Sequence, residues 1–121
     1  VDITVGRGGY NSGSVLTDAD QSGESGFASG FLAISAAGGG GGAGDGHVGG
    51  KDGGSGGGIS VNYGVDIGLG NTPSLNPSQG HNGATGVSAP FYSGGGGGAS
   101  EQGNKRCSGC GWVTAVTDDT Q

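Results

Sequence analysis

Where apolar residues in this chain are periodic, the period is two. Val1, Ile3 and Val5 alternate with Asp2 and Thr4, which predicts a half-buried strand over 1–5. In "ISVNYGVDIGL", Ile59, Val61, Tyr63, Val65, Ile67 and Leu69 alternate with Ser, Asn, Gly and Asp, which predicts a two-faced strand over 59–69, bent at Gly64. Two further apolar stretches, "FLAISA" at 31–36 and "WVTAVT" at 112–117, are short enough to be strands. Apolar residues nowhere recur at helical spacing, and glycine interrupts every window, so no α-helix is expected.

Between these stretches the chain is mostly glycine, 35 of 121 residues, with only 3 prolines. Glycine loses the most conformational freedom on ordering and brings no apolar side chain to bury. Such composition belongs to low-complexity chains. Yet only 12% of residues are charged, less than solvated disorder carries.

"FLAISAAGGGGGAG" and "VSAPFYSGGGGGAS" share one plan: apolar run, small residues, five glycines, alanine. The two runs are Gly38, Gly39, Gly40, Gly41 and Gly42, then Gly94, Gly95, Gly96, Gly97 and Gly98. A glycine run can adopt the extended polyglycine II helix, with three residues per turn and a rise of about 3.1 Å per residue. Its N–H and C=O groups point outward and must find partners on neighbouring helices. Gly38, Gly41, Gly44, Gly50, Gly53 and Gly56 hold one phase of that period, with His47 the exception, which predicts one buried glycine edge per helix. The flanking strands favour this bundle over a flexible linker. The expected architecture is a single domain: an N-terminal β part (1–37), a polyglycine bundle with loops (38–104), and a C-terminal turn and strand (105–121).

Net charge is −6 and the chain has four Lys and Arg. No basic patch is available for phosphates, which argues against nucleic acid and against anionic membranes. No apolar run reaches membrane-spanning length. With no signal peptide and no methionine, Val1 reads as a processed or fragment start.

Chemistry-bearing motifs are sparse. Cys107 and Cys110 form Cys-Ser-Gly-Cys, read first as a local disulfide or two free thiols in a turn. A redox centre would want a helix after the first cysteine. A zinc site would need two more ligands, from His47, His81 or a second subunit. Asp18, Asp20 and Ser22 begin a calcium-loop pattern, but Ser29 stands where its glutamate belongs, so a solvated loop is the first reading. His47 and His81 have no nucleophilic partner nearby. No cofactor and no enzymatic activity are expected.

The order "DITVGRGGYNSG…ESGFASGFLAISAAGGGGGAGDG…GGSGGG…GHNGATG…SGGGGGAS" resembles the glycine-rich domains of bacteriophage tail fibres and tail-tip adhesins. A short strand ending in Val-Gly-X-Gly-Gly (Val5 to Gly9), a Gly/Ser loop, and a strand feeding a pentaglycine carry the likeness. It covers roughly residues 1–104, and "KRCSGCGWVTAVTDDTQ" lies outside it. The resemblance implies an extracellular or virion protein that contacts a bacterial surface receptor through loops between rigid glycine helices. The contact candidates are Tyr63, Asn71, Thr72, Leu75, Asn76, His81, Phe91 and Tyr92, chosen as loop positions where apolar or aromatic side chains can make contact, with Tyr63 reading equally as strand core. A homo-oligomer is expected. The alternatives are a self-assembling subunit of an extracellular filament, through an unpaired strand edge, and an ice-binding glycine bundle.

Overall fold

The computed structural model describes residues 2–10, 22–44, 49–60, 66–87 and 92–105. Among these there is no helix, and regular β-structure is confined to one small sheet. Its strands are β1 (Ile3–Thr4), β2 (Ser29–Phe31) and β3 (Ile34–Ala36), antiparallel in the order β1-β2-β3. The stretch expected to be one strand over 31–36 is instead a hairpin. Leu32 and Ala33 form its two-residue turn, and Leu32 takes φ 54, a left-handed conformation unusual for a side chain of this size. Apolar content had masked the turn, which has neither glycine nor asparagine to mark it.

Beyond the sheet the same pairings continue with a different period. Ser29 faces Ala36 in the hairpin, and in unbroken register Gly26 N–H donates to Gly39 O and Gly23 N–H to Gly42 O. On the other side Ile3 faces Phe31, then Phe27 N–H donates to Arg7 O and Glu24 N–H to Tyr10 O. The ribbon therefore passes from β-pairing at its tip to one hydrogen bond every third residue at its base. Residues 22–26 belong to the polar stretch "TDADQSGESG", whose composition predicts a loop; Gly23 and Gly26, three apart, are the signal of this pairing in the sequence.

The three-residue spacing recurs through the rest of the described chain. Gly40 and Ala43 donate to Ser55 and Gly58, at 2.7 and 3.0 Å. Gly50 and Gly53 donate to Asp66 and Leu69, and Gly56 and Ile59 to His81 and Ala84. Gly94 and Gly97 donate to Ile59 and Gly56, while His81 and Ala84 donate to Gly98 and Gly95. Some of these pairs run parallel and others antiparallel. Backbones this close leave no room for Cβ atoms: one added at Gly38, Gly41 or Gly56 would collide with the carbonyl oxygen of Gly26, Gly23 or Gly68. Gly40 and Gly57 are equally closed, so the single buried edge expected per segment is too few. A segment inside the stack has neighbours on several sides.

Side chains contribute little to the interior. Only Ile59 and Ala84 are buried apolar residues among those described. Backbone hydrogen bonds between segments stand in their place, supplemented by Ser25 Oγ donating to Asp52 O and by the Lys51–Glu24 ion pair at 2.7 Å.

The strand expected over 59–69 is not formed by its described residues, 59, 60 and 66–69. Ile59 is 1% exposed but Leu69 is 49% exposed, so the alternation does not mark one buried face. Residues 55–59 bond to neighbours in several directions around their axis, which a strand with two edges cannot do. The strand expected over 112–117 lies outside the described residues, as do 61–65. The 1–5 strand exists as β1 but is not half-buried: Ile3 is 67% and Val5 81% exposed.

Candidate functional site

Two surfaces and one groove stand out. The first surface is the loop over 70–80. Asn71 N–H donates to Gly54 O and Thr72 N–H to Gly53 O, which roots the loop in the glycine segments. Asn71 then organises it from within. Its Oδ1 accepts from Leu75 N–H and Gln79 N–H at 3.1 and 3.2 Å, and its Nδ2 donates to Leu75 O at 3.1 Å. Its φ of 51 is one asparagine tolerates better than most residues. The peptide bonds Thr72–Pro73 and Asn76–Pro77 are both cis. At the far end Gln79 turns back, its Oε1 accepting from Ala37 N–H at 2.6 Å and its Nε2 donating to Ser35 O at 2.7 Å. One side-chain amide thus pairs with the free edge of β3 and joins loop to sheet.

The contact candidates fall into three groups. Thr72, Leu75 and Asn76 are exposed on this loop. Asn71 belongs to it, but its side chain is occupied in holding the loop's shape. His81 is half-buried at the loop's end, with its backbone bonded to Gly98 and Gly56. Tyr92 sits apart, paired with Val87 across an isolated bridge. Tyr63 and Phe91 lie outside the described residues, as do His47, Cys107, Cys110, Asp18 and Asp20. Ser22, expected in a solvated loop, is fully buried. Among the described residues no group of three or more His, Cys, Asp or Glu is placed to hold a metal ion. Among the described residues no helix is long and apolar enough to cross a membrane.

The second surface is a face of the three-stranded sheet. Ile3, Phe31 and Ile34 lie side by side in one cross-strand row, and directly paired residues project to the same side. With Val5 and Ala36 they line a shallow apolar hollow of about 240 Å³. Further along the same ribbon the Arg7 guanidinium lies over the rings of Tyr10 and Phe27, at 5.0 and 5.4 Å from their centres. The sequence read Ile3 and Val5 as partly interior; their exposure depends on what covers the sheet, which alternation alone does not encode.

The groove, about 430 Å³, runs along the glycine segments between residues 39–43, 55–60 and 93–97. Its walls are bare backbone and the small side chains of Ala43, Ser55, Ser60 and Ser93, with Ile59 at one end. Among the described residues these three arrangements hold no paired acid and base and no activated nucleophile. No protein-family model, curated protein or solved structure matches the chain.

Proposed function

We propose that the chain is a non-enzymatic, glycine-rich domain of the phage tail-fibre or adhesin kind, in which polyglycine II helices hold loops toward a bacterial surface. The observation that supports this most is the hydrogen bonding at every third residue, in parallel and antiparallel pairs, across segments without side chains to pack. That is the pairing expected of helices with three residues per turn. A scaffold stapled through its backbone keeps a loop in one shape, so little entropy is lost when the loop meets a receptor. The loop over 70–80, rooted at Gly53 and Gly54 and tied at Gln79, is the receptor-contacting element in this reading, with Thr72, Leu75 and Asn76 as its contacts.

The test is binding of the labelled domain to a panel of bacterial strains. Saturable, strain-restricted binding is expected, and it is lost when Thr72, Leu75 and Asn76 are all replaced by alanine while the thermal transition barely moves. Binding to no strain, or binding indifferent to the loop, contradicts the reading.

One observation favours a second reading, a self-assembling subunit of an extracellular filament. The Ile3–Phe31–Ile34 row is a contiguous apolar patch of the kind that marks interaction sites, and β1 is an edge strand that another strand could extend.

A further inference from the structure

We propose that the groove between 39–43 and 93–97 is a docking site for one more extended glycine run, contributed by a separate polypeptide. This rests on reading the segments as three-residue helices. Around such a helix, the N–H and C=O groups of three successive residues point in six directions, each serving one neighbour. For residues 55–59, five directions are filled. The carbonyls of Ser55 and Gly58 accept from Gly40 and Ala43, and those of Gly56 and Ile59 from Gly97 and Gly94. The Gly57 carbonyl accepts from Gly68 and its N–H donates to Lys51, while the N–H groups of Gly56 and Ile59 donate to His81 and Ala84. The sixth direction belongs to the N–H groups of Ser55 and Gly58, which have no partner among the described residues.

The neighbours also bond to one another in sequence around this centre. Lys51 and Gly54 donate to Gly41 and Gly38, Gly50 and Gly53 to Asp66 and Leu69, Gly83 to Gly68, and Ala84 and His81 to Gly95 and Gly98. Among the described residues the circle stays open in one place, between 39–43 and 93–97, and the groove lies there. Its flank is open: a Cβ on Gly39 or Gly42 would meet nothing within 4 Å, and one on Gly96 would first meet Gly56 O at 3.6 Å.

The occupant follows from this geometry. Ser55 and Gly58 present donors one helical turn apart, about 9 Å, so the occupant must offer carbonyls at every third residue with the same rise. It must approach three backbones at once, toward 55–58, 39–42 and 94–97, which excludes Cβ atoms from most of its length. A run of about five glycines spans the distance. Both chain directions are acceptable, since residues 55–59 already pair with parallel and antiparallel neighbours.

The probe is end-blocked hexaglycine, titrated to millimolar concentration into the ¹⁵N-labelled full chain, with end-blocked hexa-alanine as control. Saturable shifts of the Ser55 and Gly58 amides and at least tenfold slower exchange there are expected with hexaglycine alone. Gly42→Ala, and independently Gly39→Ala, should keep the fold and abolish the response. No shift at these amides, an equal response to hexa-alanine, or a response surviving both substitutions overturns the proposal. Shifts that grow with protein concentration in the absence of peptide also overturn it, because the occupant is then a second copy. Exchange at Gly57 and Gly97 separates the two levels of the argument. Protection there with no peptide response removes the docking site alone, whereas unprotected Gly57 and Gly97 remove the helix reading beneath it.

Discussion

The side-chain amide of Gln79 lies against Ser35, donating to its carbonyl at 2.7 Å while accepting from the next-but-one N–H, that of Ala37, at 2.6 Å. It replaces one repeat of a missing fourth strand and ties the 70–80 loop to the sheet. Gln79→Ala removes both bonds and leaves two backbone groups to water or to nothing, costing about 1–2 kcal/mol. Gln79→Glu keeps the acceptor and loses the donor, so it should fall between alanine and wild type. Urea unfolding of the three proteins checks the order.

Leu32 and Asn71 both have positive φ, 54 and 51, and their responses to glycine should be opposite in sign. Leu32 is exposed at the hairpin turn, so Leu32→Gly relieves strain and stabilises by about 1 kcal/mol. Asn71→Gly relieves the same backbone preference but deletes three side-chain hydrogen bonds, and it should destabilise by about 1–2 kcal/mol. Thermal unfolding of both variants reads the sign directly.

Ile34→Asp tests the filament reading. Ile34 is 69% exposed, so the substitution should leave stability within about 0.5 kcal/mol of wild type. If the sheet face meets another copy, light scattering should show a mass that rises with concentration for the wild type and stays monomeric for Ile34→Asp. A monomeric wild type at high concentration removes the filament reading.

Ile59 is the one large apolar side chain fully buried among the described residues. Ile59→Ala should cost about 2–4 kcal/mol. Leu69→Ala, at a half-exposed position of the same alternating stretch, should cost less than about 1 kcal/mol. Equal losses would mean that the alternation does mark one buried face.

That contrast also shows what was legible in the sequence. The absence of helix follows from apolar spacing, and β1 and β3 fall within stretches whose apolar content announced them. The hairpin turn at Leu32 and Ala33 was hidden because its residues are apolar and Leu32 takes the left-handed conformation that glycine or asparagine usually supplies in such a turn. The 59–69 stretch misled for a deeper reason. Period-two alternation identifies a strand only where side chains decide burial, and around Ile59 backbone contacts in several directions decide it. Of the contact surface, Thr72, Leu75 and Asn76 could be found as loop residues. Gln79 could not, because its role depends on Ser35 and Ala37, more than forty residues away.

Bare backbones hydrogen-bonded at a three-residue spacing take the place of a side-chain core among the described residues. An alanine scan of residues 38–42 tests it most directly, with stability measured by chemical unfolding. A Cβ at Gly38, Gly40 or Gly41 would collide with the carbonyl oxygen of Gly26, Lys51 or Gly23, whereas one at Gly39 or Gly42 enters open space. Where the backbones are forced apart, each amide left without a partner costs on the order of 1–3 kcal/mol. Gly38→Ala, Gly40→Ala and Gly41→Ala should therefore be strongly destabilising. Gly39→Ala and Gly42→Ala should be neutral or slightly stabilising, through the loss of unfolded-state freedom. A profile of severe, silent, severe, severe, silent is the predicted result. Five substitutions all within about 0.5 kcal/mol of wild type would contradict the account.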